Sequence, residues 1–156
     1  MVDVDVRTLG ARIGEEIAVS DWMEVTQARI NQFADATGDH QWIHVDPVRA
    51  AAELPSKSTI AHGFLTLSLL STLIRESIRF AGLRMAINYG LNRVRFVSPV
   101  PAGSRIRATI VLQTAEEVTG GFQATWQVTI EREGGDKPAA IVEWVVRYYP
   151  LQEGSL

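Results

Sequence analysis

Three histidines are available for chemistry in this chain: His40, His44 and His62. Two of them fall in the stretch Gly38–Pro47, GDHQWIHVDP, beside Asp39. Asp39 and His44 stand five residues apart in what reads as a loop, so both side chains can be aimed at one point. A carboxylate and an imidazole that share one water form an acid–base pair, worth roughly 10²–10⁴-fold in rate. The plainer alternative is that Asp39 caps the loop and His44 packs. A metal reading would take His40 and His44, with His62 and Asp39 as further ligands. A four-residue histidine spacing works best on a helix, however, and this segment contains Gly38 and precedes Pro47, which argues against a metal.

His62 belongs to Ala61-His62-Gly63, at the opening of an apolar helical stretch. The first N–H groups of a helix lack partners within it and carry partial positive charge. Glycine lets a ligand approach the backbone, so a carbonyl oxygen gaining negative charge can be held at Gly63. Tight packing of helix on sheet would explain the same glycine. Ser71 lies further on, among Leu67, Leu70 and Ile74. A buried hydroxyl needs a partner. The carbonyl of Leu67 is the usual one, and support of Asp39 is the functional alternative.

The elements that must position these groups read as follows. Thr59–Phe80 forms one long helix, with Phe64, Leu67, Leu70, Ile74 and Ile78 at three- and four-residue steps and Leu65, Leu69 and Leu73 beside them. A helix apolar over so much of its surface is buried. Its polar and charged residues break it well short of the ~18 uncharged residues of a membrane span. Glu16–Trp22 alternates weakly and reads as an edge strand. Thr26 caps a helix over residues 27–37, which Gly38 ends. Asp46 and Pro47 open a short helix running to Glu53, and Leu54–Ser58 is a loop.

Beyond residue 84 the period changes to two. Ile106 to Leu112, Phe122 to Ile130 and Val142 to Tyr148 each alternate apolar with polar, as half-buried strands do. Gly120-Gly121 and Gly134-Gly135 mark hairpin turns between them. Met85, Ile87, Tyr89 and Leu91 share a face, whereas Val94 and Phe96 are out of phase, which places a β-bulge near Asn92–Arg93. Four long strands in succession predict an antiparallel sheet joined by hairpins. An apolar helix and a sheet with one apolar face bury each other, so the expected fold is α+β, the sheet curled round the helix.

Composition narrows the classes. At 156 residues the chain suits one domain with a sizeable core. With 46% hydrophobic and 21% charged residues it has the profile of a soluble globular protein. A net charge of −3 gives no case for nucleic acid. The absence of cysteine excludes disulfides and thiolate metal sites and fits the cytosol. The opening MVDVDVRTLGARIG has no apolar core and is not expected to be a signal peptide.

Thr37-Gly38-Asp39-His40-Gln41-Trp42-Ile43-His44, followed by Asp46-Pro47 and Ile60-Ala61-His62-Gly63, resembles the MaoC-like (R)-specific enoyl-CoA hydratases. It is most similar to the single-domain branch that includes the nodulation protein N-like proteins. The resemblance extends over most of the chain, including Asn88–Ser104, and implies a single hotdog domain over residues 1–156. It implies that Asp39 and His44 are the acid–base pair and that the Gly63 N–H holds the thioester oxygen, with His62 beside it. It also implies that Ser71 supports Asp39. Gln41 and Trp42 depart from the family's Asn-Pro, which bears on loop shape and acyl pocket.

The implied reaction is reversible hydration of trans-2-enoyl-CoA to (R)-3-hydroxyacyl-CoA, without metal or other cofactor. The implied partners are an acyl-CoA or acyl-carrier-protein thioester and a second copy of the chain, in the cytoplasm, with no nucleic acid or membrane. Arg84, Arg93 and Arg95, and also Arg105 and Arg107, are candidates for the CoA phosphates, or simply solvated sheet surface. The rival readings are a hotdog acyl-CoA thioesterase and a non-catalytic acyl-CoA-binding hotdog. The first wants a carboxylate on the long helix, which offers only Glu76. The second would not need the Asp–His pair.

Overall fold

The computed structural model describes residues 1–151. In chain order it has strand β1 (Val2–Asp5), a 3-10 turn (Val6–Arg12), strands β2 (Glu16–Val19) and β3 (Met23–Glu24), and helices α1 (Gln27–Thr37), α2 (Trp42–Val45) and α3 (Pro47–Glu53). Helices α4 (Gly63–Ser68) and α5 (Leu70–Ser77) follow, then strands β4 (Ile78–Ala81), β5 (Leu83–Phe96), β6 (Arg105–Val118), β7 (Gly121–Arg132) and β8 (Ala140–Pro150). This is the expected α+β hotdog arrangement of a curled antiparallel sheet and a central helical segment.

The main sheet has the order β2-β6-β7-β8-β5, with β3 also on β6. The hairpins β6–β7 and β7–β8 form as the glycine pairs predict. The link from β5 to β6 is not a hairpin: β5 pairs antiparallel with β8. Pro99 and Pro101 stand in that link, and proline cannot donate to a tight ladder. The link instead crosses the chain ahead of α4, where Ala61 N–H bonds the Val100 carbonyl at 2.8 Å.

The central helix is shorter than expected and is interrupted. Leu69 separates α4 from α5, and the Ser68 hydroxyl bonds back to the Phe64 carbonyl at 2.7 Å. The helix ends at Ser77, because Ile78–Ala81 is taken up by β1 in a parallel pair. Ile78-Arg79-Phe80 satisfies both periods: Ile78 is buried, Phe80 faces Trp126 and Tyr148, and Arg79 points outward to a bidentate pair with Asp3. Leu65, Leu70, Leu73 and Ile74 are buried as the pattern requires, but Phe64 is 69% exposed.

The inner faces of β6, β7 and β8 complete the core, with Trp126 donating to the Tyr148 hydroxyl at 2.8 Å inside it. On β5 the bulge at Asn92 is present, since Leu91 and Arg93 oppose the adjacent Trp144 and Glu143. A second irregularity at Tyr89 puts Leu91 on the opposite face from Met85 and Ile87, so these residues do not share one side.

Candidate active site

Helix α1 carries the chain to the site. Thr26 accepts from the Arg29 N–H at its start, and Gly38, at φ 78, stops it in the left-handed conformation that glycine tolerates. The turn that follows is shaped by Asp39, whose Oδ1 accepts from the Gln41 N–H at 3.4 Å. Asp39 therefore does cap the loop, as the plainer reading held, while its carboxylate stays exposed. The stretch read as a loop contains one helical turn, α2, which directs His44 inward; Asp46 then caps α3 by accepting from the Arg49 N–H at 3.0 Å.

His44 is buried, and its Nδ1 lies 2.6 Å from the Ile60 carbonyl. A carbonyl can only accept, so Nδ1 carries the proton and Nε2 keeps its lone pair. Burial lowers the His44 pKa below the ordinary histidine value, outweighing the opposing pull of the Ile60 hydrogen bond and the Asp39 charge. The ring is therefore neutral near pH 7. Side-chain ligand atoms of Asp39, His44 and His62 all lie within 4.8 Å of one another.

His44 also lines a cleft of about 260 Å³ with Gly63, Thr66, Phe96 and Val97. No carbonyl accepts from the Gly63 N–H among the described residues. Helix α4 has only six residues, so the macrodipole adds little and the free N–H itself is the useful group.

Other expected site residues fall elsewhere. His62 is buried with its Nε2 on the Asp39 carbonyl at 2.9 Å, so it supports the loop and does not line the cleft. Ser71 is exposed and has no hydrogen bond to Asp39 or to Leu67 among the described residues; it lines a different cavity, with Asn88 and Trp144. His40 turns away to Asp35 at 2.9 Å, and that hydrogen bond raises its pKa. Trp42 lies under the Arg49 guanidinium at 4.0 Å, outside the cleft.

Arg105 and Arg107 are paired with Glu133 and Glu131, whereas Arg84, Arg93 and Arg95 are exposed on β5. Sequence reasoning missed Gln27. Its Nε2 donates to the His44 carbonyl at 2.8 Å, and its Oε1 accepts from the buried Thr59 hydroxyl. One side chain thus ties α1 to both segments that flank the site, and nothing in its spacing singles it out.

The MaoC like domain model matches residues 8–133. The chain belongs to the MaoC-like family. A MaoC-like relative, 3-hydroxyacyl-thioester dehydratase Z of Mycobacterium tuberculosis, is 55% identical over 92% of this chain and 95% of its own length. Nodulation protein N of Rhizobium meliloti is 45% identical over 93% of this chain and 91% of its own. Among solved MaoC-like folds, the (R)-hydratase from A. caviae involved in PHA biosynthesis superposes with a TM-score of 0.70 at 26% identity, covering 90% of this chain and 96% of the other. No helix among the described residues is long and apolar enough to cross a membrane.

Proposed function

We propose that this MaoC-like chain is a hydro-lyase that adds water reversibly to trans-2-enoyl thioesters, giving (R)-3-hydroxyacyl thioesters. One observation carries the reading: a carboxylate oxygen of Asp39 and a ring nitrogen of His44 lie within 4.8 Å of each other, and His44 shares its cleft with Gly63, whose N–H has no carbonyl partner among the described residues. Two acceptors side by side take both protons of one water, which leaves an oxygen lone pair for C3 of the substrate. Asp39 takes up one proton as the C–O bond forms. The other proton stays on the new hydroxyl, facing His44. The proton held by Asp39 then passes to C2 on the same face, giving syn addition.

Between these steps the thioester oxygen carries enolate charge. The Gly63 N–H is the group placed to hold it, a donor worth roughly 3–4 kcal/mol when well aimed. The relatives named above, a thioester dehydratase and an (R)-hydratase, support both the reaction class and the configuration. The reaction as written calls on no metal or redox cofactor. The donor set also suits a metal poorly: the His44 and His62 rings are stacked with centroids 3.8 Å apart, so an ion in the plane of one ring lies out of the plane of the other.

The acyl group is carried as a CoA or carrier-protein thioester, with the exposed Arg84, Arg93 and Arg95 as candidate phosphate partners. A trough of about 630 Å³ between α5, β5 and β8 shares no wall residue with the His44–Gly63 cleft. It opens beside β5, an edge strand of 14 residues with Met85, Ile87, Tyr89 and Leu91 exposed. A long apolar edge calls for cover, and a second copy joined there would supply it; we place the homodimer interface on this strand, in a cytoplasmic enzyme. The thioesterase alternative finds no support in the cleft, since Glu76 is exposed on α5 and does not line it.

The test is incubation of the purified protein with crotonyl-CoA and a longer enoyl-CoA. Loss of the conjugated enoyl absorbance with an R product on chiral analysis is expected. Release of free CoA without hydration would replace this reading with the thioesterase.

A further inference from the structure

His62 stands at the N-terminal boundary of α4 yet makes no capping bond with its side chain. The ring is 3% exposed, and its Nε2 lies 2.9 Å from the Asp39 carbonyl oxygen. Because a carbonyl only accepts, Nε2 carries the proton and Nδ1 is left as a bare acceptor. That Nδ1 is buried without a hydrogen-bond partner. Buried polar atoms are nearly always paired, so an orphan of this kind asks what else the ring does.

Its surroundings give the answer. One face stacks on the His44 ring at 3.8 Å, with 24° between the planes, and the Phe33 ring packs against it at 4.9 Å. At 3% exposure the ring offers little surface to a substrate. Metal ligation is disfavoured by the stack, because an ion in the plane of one ring lies well out of the plane of the other.

We infer that His62 is a positioning residue, which fixes Asp39 through its backbone and His44 through its ring, the two imidazoles being held in opposite tautomers. His44 is protonated on Nδ1 toward Ile60, which frees Nε2 for the shared water. His62 is protonated on Nε2 toward Asp39, which sets where the catalytic carboxylate begins. A rotation of His62 would shift both acceptors at once. This inference rests on the acid–base reading of the preceding subsection.

Two variants separate positioning from bulk. In His62→Gln the side-chain amide N–H reaches the place of Nε2; in His62→Asn it stops at the place of Nδ1. A misplacement of about 1 Å at a reacting group costs on the order of 10²-fold in rate. His62→Asn is therefore expected to lose roughly 10²-fold in kcat with KM within about threefold of wild type, and His62→Gln to recover most of it. Equal kcat in the two variants would overturn the proposal.

Nitrogen-15 NMR of the wild-type protein at pH 7.5 gives a readout independent of turnover. It is expected to show His62 protonated on Nε2 alone and His44 on Nδ1 alone. His62 found protonated on Nδ1, or on both nitrogens, would overturn it even if neither variant folds. Absence of hydration by the wild type would instead remove the acid–base reading, and the tautomers would still be read.

Discussion

The ring of Phe96 stands 3.0 Å from the point that a β-carbon on Gly63 would occupy. The glycine is thus favoured by a close neighbour and not by its own backbone angles. Both residues wall the cleft, so adding a methyl group pushes one wall against the other. Gly63→Ala is expected to lower kcat/KM by roughly tenfold to a hundredfold through displacement of the reacting groups. Phe96 is half exposed and can yield, and alanine favours a helix by about 1 kcal/mol over glycine. Thermal melting should therefore stay close to wild type, and unchanged turnover would show that the Phe96 ring moves aside without displacing the reacting groups.

Asp39→Asn keeps an oxygen to accept from the Gln41 N–H but cannot take a proton from water. His44→Asn keeps an N–H for the Ile60 carbonyl but has no counterpart of Nε2. Each variant is expected to lose roughly 10²–10⁴-fold in kcat, while circular dichroism melting moves little for Asp39→Asn. A variant that retains wild-type turnover takes its residue out of the acid–base pair.

The lowered pKa of His44 sets a direction for pH. Unfolded histidine titrates near 6.5, and the folded site binds that proton less readily. As pH falls through 6.5 the unfolded chain gains a proton that the folded one refuses, so His44 withdraws stability from there down to its folded pKa. Activity should hold below pH 6.5 for the same reason, since the ring stays neutral. His40, with its pKa raised by Asp35, has the opposite sign: its stabilisation is present below 6.5 and is lost as pH rises through its folded value. The acid limb of kcat/KM is therefore expected to lie below pH 6.5 and to be unmoved by His40→Ala. A limb that shifts in that variant would assign the titration to the wrong histidine.

Much of this arrangement is legible in the sequence, and the exceptions have physical causes. Thr26, Gly38, Asp46 and Pro47 fix local backbone, so α1 and α3 appear where those residues require. Alternation along β6, β7 and β8 is equally local. The end of the central helix is not: Ile78-Arg79-Phe80 fits helix and strand alike, and only capture by β1, more than seventy residues away, decides. Pairing of β5 with β8 is likewise set by distant partners. Within the site, the spacing of Asp39 and His44 is readable, whereas the inward placement of His62 and the outward turn of Ser71 depend on packing.

Gln27 is the support that spacing does not reveal. Gln27→Ala leaves the Thr59 hydroxyl, 1% exposed, and the His44 carbonyl without their partner. An unsatisfied buried group costs about 1–3 kcal/mol, and a domain of this size loses roughly 2–4 °C per kcal/mol. Differential scanning calorimetry should record a fall of several degrees, with reduced kcat because His44 loosens. An unchanged melting temperature would show that water replaces the side chain.

The edge strand gives a test of assembly. Ile87→Lys places a charge among the exposed apolar side chains of β5 without touching the cleft. Sedimentation is expected to give a dimer for the wild type and a shift toward monomer for the variant. A wild-type monomer would remove the interface from β5.

Strand β8 sits between β7 and β5, and β5 has no other neighbour in the main sheet among the described residues. During synthesis on the ribosome, Leu83–Phe96 emerges long before the strand that seats it. Its naked ladder and greasy side chains must survive the making of two further strands, the condition under which nascent chains stick to one another. Any pause ahead of Ala140 prolongs that hazard, so the last strand acts as the latch on which productive folding in the cell depends.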